Sequence, residues 1–92
     1  MLVDCLTLWI NNLMIADYTD AGVSGAVSAL TDALDALASP VVLVSNEVGT
    51  GIVPENAMAR RYRDLAGFSN QRVAAAADRV VWMVAGIPVQ IK

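Results

Sequence analysis

Histidine is absent from this 92-residue chain, and lysine and cysteine occur once each, as Lys92 and Cys5. Without an imidazole the chain holds no His-based catalytic triad, no His-ligated zinc and no His proton shuttle. A lone cysteine excludes an internal disulfide and reads as that of a reduced, cytoplasmic protein. Basic side chains number six against nine acidic ones, a net charge of −3. That balance argues against a nucleic-acid or anionic-membrane surface, which needs clustered Lys and Arg. Charged residues make up only 16% of the chain, which excludes the highly charged composition of a disordered protein.

Hydrophobic residues are plentiful instead, at 57%. A chain of this length buries only about 60–65% of the surface its unfolded form exposes. Some of its apolar surface is thus expected to face another chain or a further segment. The apolar stretch from Leu2 to Ala16 does not read as a membrane span or a signal peptide. It is broken by Asp4, Asn11 and Asn12, has no basic start, and falls short of the ~20 residues a span needs.

Patterning suggests seven elements. Leu2 to Cys5 reads as the last residues of a buried strand that ends in an acid. Thr7 to Asp17 reads as a helix, with Thr7 as cap and Trp9, Leu13 and Ala16 at helical spacing. After a polar break at Tyr18 to Gly22, the residues Val23, Val27, Leu30, Leu34 and Leu37 form one apolar stripe on a helix reaching Ala38. Asp32 and Asp35 fall off that stripe, and Ser39-Pro40 ends it. Val41 to Val44 is an unalternating β-branched run, the mark of a parallel strand covered on both faces. A loop spans Ser45 to Asn56. Pro54 then suits the first turn of a helix that runs to about Asp78, with Gly67 as a weak point. Val80 to Ala85 reads as a strand, Gly86 and Pro88 as a turn, and Val89-Gln90-Ile91 as an edge strand. The expectation is one α/β domain over residues 1–92, with a mostly parallel sheet, helices on both faces and an antiparallel C-terminal edge hairpin.

In open α/β sheets ligands sit beyond the carboxyl ends of the strands. Asp4, the run Ser45-Asn46-Glu47, and Ala85-Gly86 occupy such ends. If the first two strands are parallel neighbours, Asp4 and Glu47 point into one crevice. Asp4 could hold a magnesium ion, directly or through water, beside a nucleotide phosphate; composition and pattern alone favour a helix-capping or turn residue instead. Asn46 offers a donor and an acceptor, and Glu47 a base, a metal ligand or a ribose partner. The bland alternative is a tight loop whose Asn and Glu only cap the next helix. Arg60, Arg61, Arg63 and Arg72 share one helix. They could clamp a polyphosphate or an acidic neighbouring subunit, or form a solvated ion-paired face with Arg60 and Asp64 at i,i+4. Cys5 reads as core packing, and Trp9 and Trp82 as core or interface. A Gly-rich phosphate loop carrying Lys and Ser/Thr is absent.

The run Val42 to Asn56 (Val-Leu-Val-Ser-Asn-Glu-Val-Gly-Thr-Gly-Ile-Val-Pro-Glu-Asn) is distinctive. Together with Ala59 to Gly67, Asn70-Gln71-Arg72, Ala76-Ala77-Asp78 and Ala85 to Pro88, it closely resembles the C-terminal half of one family. That family is the bifunctional adenosylcobinamide kinase / adenosylcobinamide-phosphate guanylyltransferase of cobalamin assembly. Asp4 to Trp9 and Asn12-Leu13 resemble its acid-ended strand and following helix, so the resemblance extends over essentially the whole chain.

The resemblance implies a domain of P-loop NTPase type, usually trimeric, that uses ATP or GTP with magnesium. It implies phosphorylation of the aminopropanol hydroxyl of adenosylcobinamide. GMP then passes from GTP, by way of a histidine, to that phosphate. Asp4 matches the nucleotide-contacting acid, and Asn46 and Glu47 a motif facing the nucleotide crevice. The phosphate loop and guanylylated histidine belong to the family's N-terminal half, and this chain carries neither. It is therefore expected to be the C-terminal part of a nucleotide-binding domain, inactive by itself. The alternative is a truncated, non-catalytic remnant that serves only as a self-associating module.

Overall fold

A computed structural model describes residues 1–92. Seven elements follow in the anticipated order: β1 (Leu2–Asp4), α1 (Leu6–Ile15), α2 (Asp20–Asp35), β2 (Val42–Val44), α3 (Ala57–Ala76), β3 (Val81–Val84) and β4 (Ile87–Gln90). Their boundaries answer to local chemistry. Cys5, not Thr7, precedes the first turn of α1 and gives no side-chain cap. The helix ends where Asp17 turns left-handed at φ 63°. The Tyr18 amide then donates to the Leu13 carbonyl and the Asp17 amide to that of Met14, a Schellman closure that a short polar residue tolerates. At α2 the Thr19 hydroxyl accepts from the Gly22 amide, so the helix starts at Asp20, two residues before the expected Gly22. At α3 the Asn56 carboxamide accepts from the amides of Met58 and Ala59. That cap places Pro54 ahead of the helix rather than in its first turn. Gly67 interrupts nothing.

The core is small and lies among the three helices. Leu6 and Ile10 of α1, Val23 and Val27 of α2, and Leu65 of α3 form it, with Leu43 of β2, Tyr62 and Val73 packed at its margin. The stripe on α2 holds from Val23 to Leu34, but the helix ends at Asp35, short of the expected Ala38, and leaves Leu37 exposed. On α1 the buried line is Leu6, Thr7 and Ile10; Trp9 and Leu13 flank it and Ala16 is exposed. Met58, at the start of the expected α3 stripe, is also exposed.

The single mostly parallel sheet is not found. Strands β1 and β2 pair in parallel, Leu2 with Val42, Val3 with Leu43 and Asp4 with Val44. β3 and β4 form a separate antiparallel hairpin. Nor do helices cover both faces of the parallel pair. Val3 and Leu43 are half-buried, whereas Leu2, Asp4, Val42 and Val44 are exposed. An unbroken apolar run shows that both faces want cover, and this chain supplies cover for one.

The hairpin departs from expectation in its register. Its turn is Ala85-Gly86, both left-handed with φ 52° and 74°, the two-residue geometry that suits strand twist. Pro88 lies inside β4 opposite Met83. Hydrogen-bonded pairs alternate along an antiparallel ladder. The Ile91 amide donates to the Val80 carbonyl, so residue 88 falls at a non-bonded position and its missing N–H costs no ladder bond. Every residue of β3 and β4 is exposed. Lys92 ties the hairpin to the end of α3 by donating to the carbonyls of Ala74 and Ala75, where a cation meets the negative end of the helix.

A folded monomer of this length exposes about 5,100 Å²; this chain exposes 6327 Å². Large apolar side chains contribute to it: Trp82, Met83, Ile87 and Ile91 on the hairpin, and Leu2 and Val42 on the bare sheet face.

Candidate functional site

The parallel pairing brings the end of β1 beside the end of β2, and the start of α1 packs over the junction. There the Asn46 Nδ2 donates to the Thr7 hydroxyl at 2.8 Å. The Cys5 thiol lies 3.5 Å from the same oxygen, and the Tyr62 hydroxyl donates to the Thr7 carbonyl at 3.3 Å. These groups, with Leu8 and Asn11, line a shallow cleft of about 420 Å³ that is wide open to solvent. Thr7 is 2% exposed; it sits beneath the cleft and organises it, rather than capping a helix. Cys5 is half-buried at the cleft wall, not packed in the core. The strand β1, by contrast, sends Asp4 to the same exposed face as Leu2.

The loop after β2 is held by α3. Asn70 accepts from the Ser45 hydroxyl and donates to the Asn46 carbonyl at 2.9 Å. One carboxamide thus fixes both residues at the strand exit. Further on, the Glu47 carboxylate accepts from the Gly49 amide at 3.0 Å, which curls Gly49 back on it, and Arg63 donates to the Gly49 carbonyl at 2.7 Å. The Arg63 Nε is buried with no partner. Removing the Asn70 tether by Asn70→Ala forfeits two hydrogen bonds and leaves the Ser45 hydroxyl and Asn46 carbonyl without partners. A loss of about 2 kcal/mol is expected, with faster amide exchange at residues 45–51 and little change in the α1–α2 core.

The arginines are engaged inside the chain. Arg60 donates to the carbonyls of Pro54 and Glu55, not to Asp64 as helical spacing suggested. Arg61 pairs with Asp20 at 2.7 Å and reaches the Tyr18 carbonyl, joining α3 to the start of α2. Arg72 donates to the Ser24 carbonyl, to its hydroxyl at 3.0 Å and to the Ser28 hydroxyl, and its guanidinium lies 5.6 Å from the Phe68 ring centre.

Of the residues singled out from sequence, Asn46 lines the cleft and Glu47 stands on the loop beside it. Asp4 is at the neighbouring strand end but outside the lining. Asn11, Thr7, Tyr62 and Asn70 were not read as site residues. Thr7 and Asn11 are one helical turn apart on α1, a spacing that puts both on one face, and Asn70 stands within the distinctive Asn-Gln-Arg run. No group of three acidic, cysteine or histidine side chains gathers to hold a metal. No helix is long and apolar enough to cross a membrane.

Comparison with known proteins bears on this geometry. The family model described as cobinamide kinase / cobinamide phosphate guanyltransferase matches residues 1–91. The bifunctional adenosylcobalamin biosynthesis protein CobP of Pseudomonas aeruginosa is 44% identical over 92 residues, all of this chain and 53% of that protein. The bifunctional adenosylcobalamin biosynthesis protein CobU of Salmonella typhimurium is 43% identical, and that of Escherichia coli 39%, each with 58% of its length covered. The chain thus spans about half the length of the curated relatives it matches.

Proposed function

Because this chain belongs to the cobinamide kinase / cobinamide phosphate guanyltransferase family, we propose that it forms part of a nucleotide-dependent transferase of cobalamin biosynthesis. The activities are phosphorylation of adenosylcobinamide and transfer of GMP from GTP to the resulting phosphate. In the first, the substrate hydroxyl attacks the γ-phosphorus, losing its proton as the nucleoside diphosphate leaves. In the second, the GMP phosphorus is passed to an oxygen of the new phosphate and pyrophosphate is released. The observation that carries this reading is the family match across residues 1–91, which takes in every residue of the cleft.

In this proposal the chain is one portion of a single nucleotide-binding domain of P-loop type, and the phosphate-gripping loop lies in the remainder. Asp4, Asn46 and Glu47 face the nucleotide. Glu47 keeps one carboxylate oxygen for a hydroxyl of the nucleotide or acceptor, the other being held by Gly49. Magnesium accompanying the triphosphate fits here only as an indirect contact: Asp4 is a single exposed carboxylate, enough to meet the ion's bound water and too little to hold it alone. The ion would neutralise phosphate charge. Arg60, Arg61 and Arg63 serve the loop and helix ends, and they reach a phosphate or a neighbouring subunit only by giving up those contacts. Trimeric assembly would cover the exposed hairpin.

The test is complementation. The chain is co-expressed with the portion of the Pseudomonas relative that it does not match, and GMP transfer to adenosylcobinamide phosphate is assayed. Restored transfer that Glu47→Ala weakens supports the reading; a stable complex without transfer overturns it. The second reading, a self-associating module without catalysis, draws on the exposure of every β3 and β4 residue and wins if that inactive complex forms.

A further inference from the structure

The cleft beside α1 holds no charged side chain. Its walls are Cys5, Thr7, Leu8, Asn11, Asn46 and Tyr62. A phosphate is recognised by guanidinium, ammonium or convergent backbone amides, and the guanidiniums of Arg60, Arg61 and Arg63 lie outside this lining, on Pro54, Asp20 and Gly49. A metal ion needs ligands that do not gather here. A wholly apolar guest would strip water from the Asn11 carboxamide and the Asn46 oxygen and leave both unpaired, which costs more than its burial returns.

What the walls do offer is amide chemistry. Asn46 spends its Nδ2 on Thr7 and keeps its oxygen as an acceptor. The Asn11 side chain makes no hydrogen bond within the chain, so both ends of its carboxamide remain available at the cleft wall. The Tyr62 hydroxyl is fixed on the Thr7 carbonyl, which holds the ring in place as an apolar wall suited to a planar group.

We infer that this cleft recognises an uncharged planar amide edge, with Asn11 pairing to it as donor and acceptor at once. Two molecules of the proposed reaction carry such an edge: the lactam of a guanine base and the primary carboxamides of cobinamide. The choice of these two guests rests on the transferase reading above; the amide chemistry does not.

The experiment follows side-chain carboxamide signals of the isotope-labelled 92-residue chain by NMR. Guanosine, adenosine, cobinamide and inorganic triphosphate are titrated separately, and GTP serves as reference. Guanosine or cobinamide is expected to shift the Asn11 and Asn46 signals. Asn11→Ala should then weaken that ligand by about tenfold, the worth of two neutral hydrogen bonds. Alanine favours the helix at this half-exposed position, so the variant keeps its fold. Asn11→Asp, equal in size but lacking the donor, should weaken the same ligand. A loss confined to guanosine assigns the base, and a loss confined to cobinamide assigns the carboxamide. If triphosphate moves the Asn11 signal as strongly, or if Asn11→Ala leaves every affinity within twofold, the inference fails while the transferase reading stands. If neither GTP, guanosine nor cobinamide perturbs the Asn11 and Asn46 signals, the inference fails, and the transferase reading is decided separately by the complementation assay.

Discussion

Replacing Ile10 with alanine is expected to lower the unfolding free energy by about 3 kcal/mol, within the range for deleting a buried isoleucine side chain. Ile10 is 0% exposed and stands where α1 meets α2 and α3, among Leu6, Val23, Val27 and Leu65. Large domains dilute such a loss; this one has eight buried residues in 92. A domain of this length has roughly 5–14 kcal/mol of total stability, and a core this small places it toward the lower figure. The thermal midpoint should fall by about 12–24 °C, and urea unfolding should show the loss as a lower midpoint at unchanged slope. Ile15→Ala, five residues along the same helix and 73% exposed, should change stability by no more than about 0.5 kcal/mol. Equal losses at both positions would mean that the helices do not pack as described.

The second large effect is an absence. GTP labelled at its α-phosphate is expected to leave no acid-labile GMP adduct on the isolated chain, against stoichiometric labelling of a full-length relative treated in the same way. The family resemblance places that phosphoramidate on an imidazole nitrogen, and the chain has none. The other nucleophiles are poorly placed. Lys92 is anchored on the end of α3, and the Cys5 thiol has no basic side chain among the cleft residues to draw off its proton. Covalent label at one GMP per chain would defeat the expectation, drawn from the family resemblance, that the nucleotide-accepting histidine lies outside this chain.

Much of the fold was legible because its signals are local. The step of four and three from Val23 through Leu34 marks α2 and its buried face. The apolar run at 42–44 marks β2, and Ser-Pro, Gly-X-Gly and Gly86 mark the breaks. The site was legible in one half: a strand ending in Ser-Asn-Glu before a Gly-rich loop points to Asn46 and Glu47. Its other half was not. Thr7 looked like a cap because Thr is a common one, yet the neighbouring strand supplies it with Asn46 as a partner 39 residues away. Arg60 and Asp64 have the right spacing to pair, but the carbonyls left free ahead of α3 lie within reach of Arg60 and take its guanidinium instead.

By itself the sequence determined the order of elements, a parallel strand at the apolar run 42–44, the family, and the absence of any histidine chemistry. Each of these depends on neighbours along the chain or on residue type alone. Only the tertiary structure decided that the strands make two small sheets instead of one, that one face of the first is left open, and that Thr7, Asn11, Asn46 and Tyr62 meet around a neutral cleft. Those outcomes depend on which surfaces find cover and which polar groups find partners across 39 and 55 residues of chain, and no periodicity in the sequence encodes either.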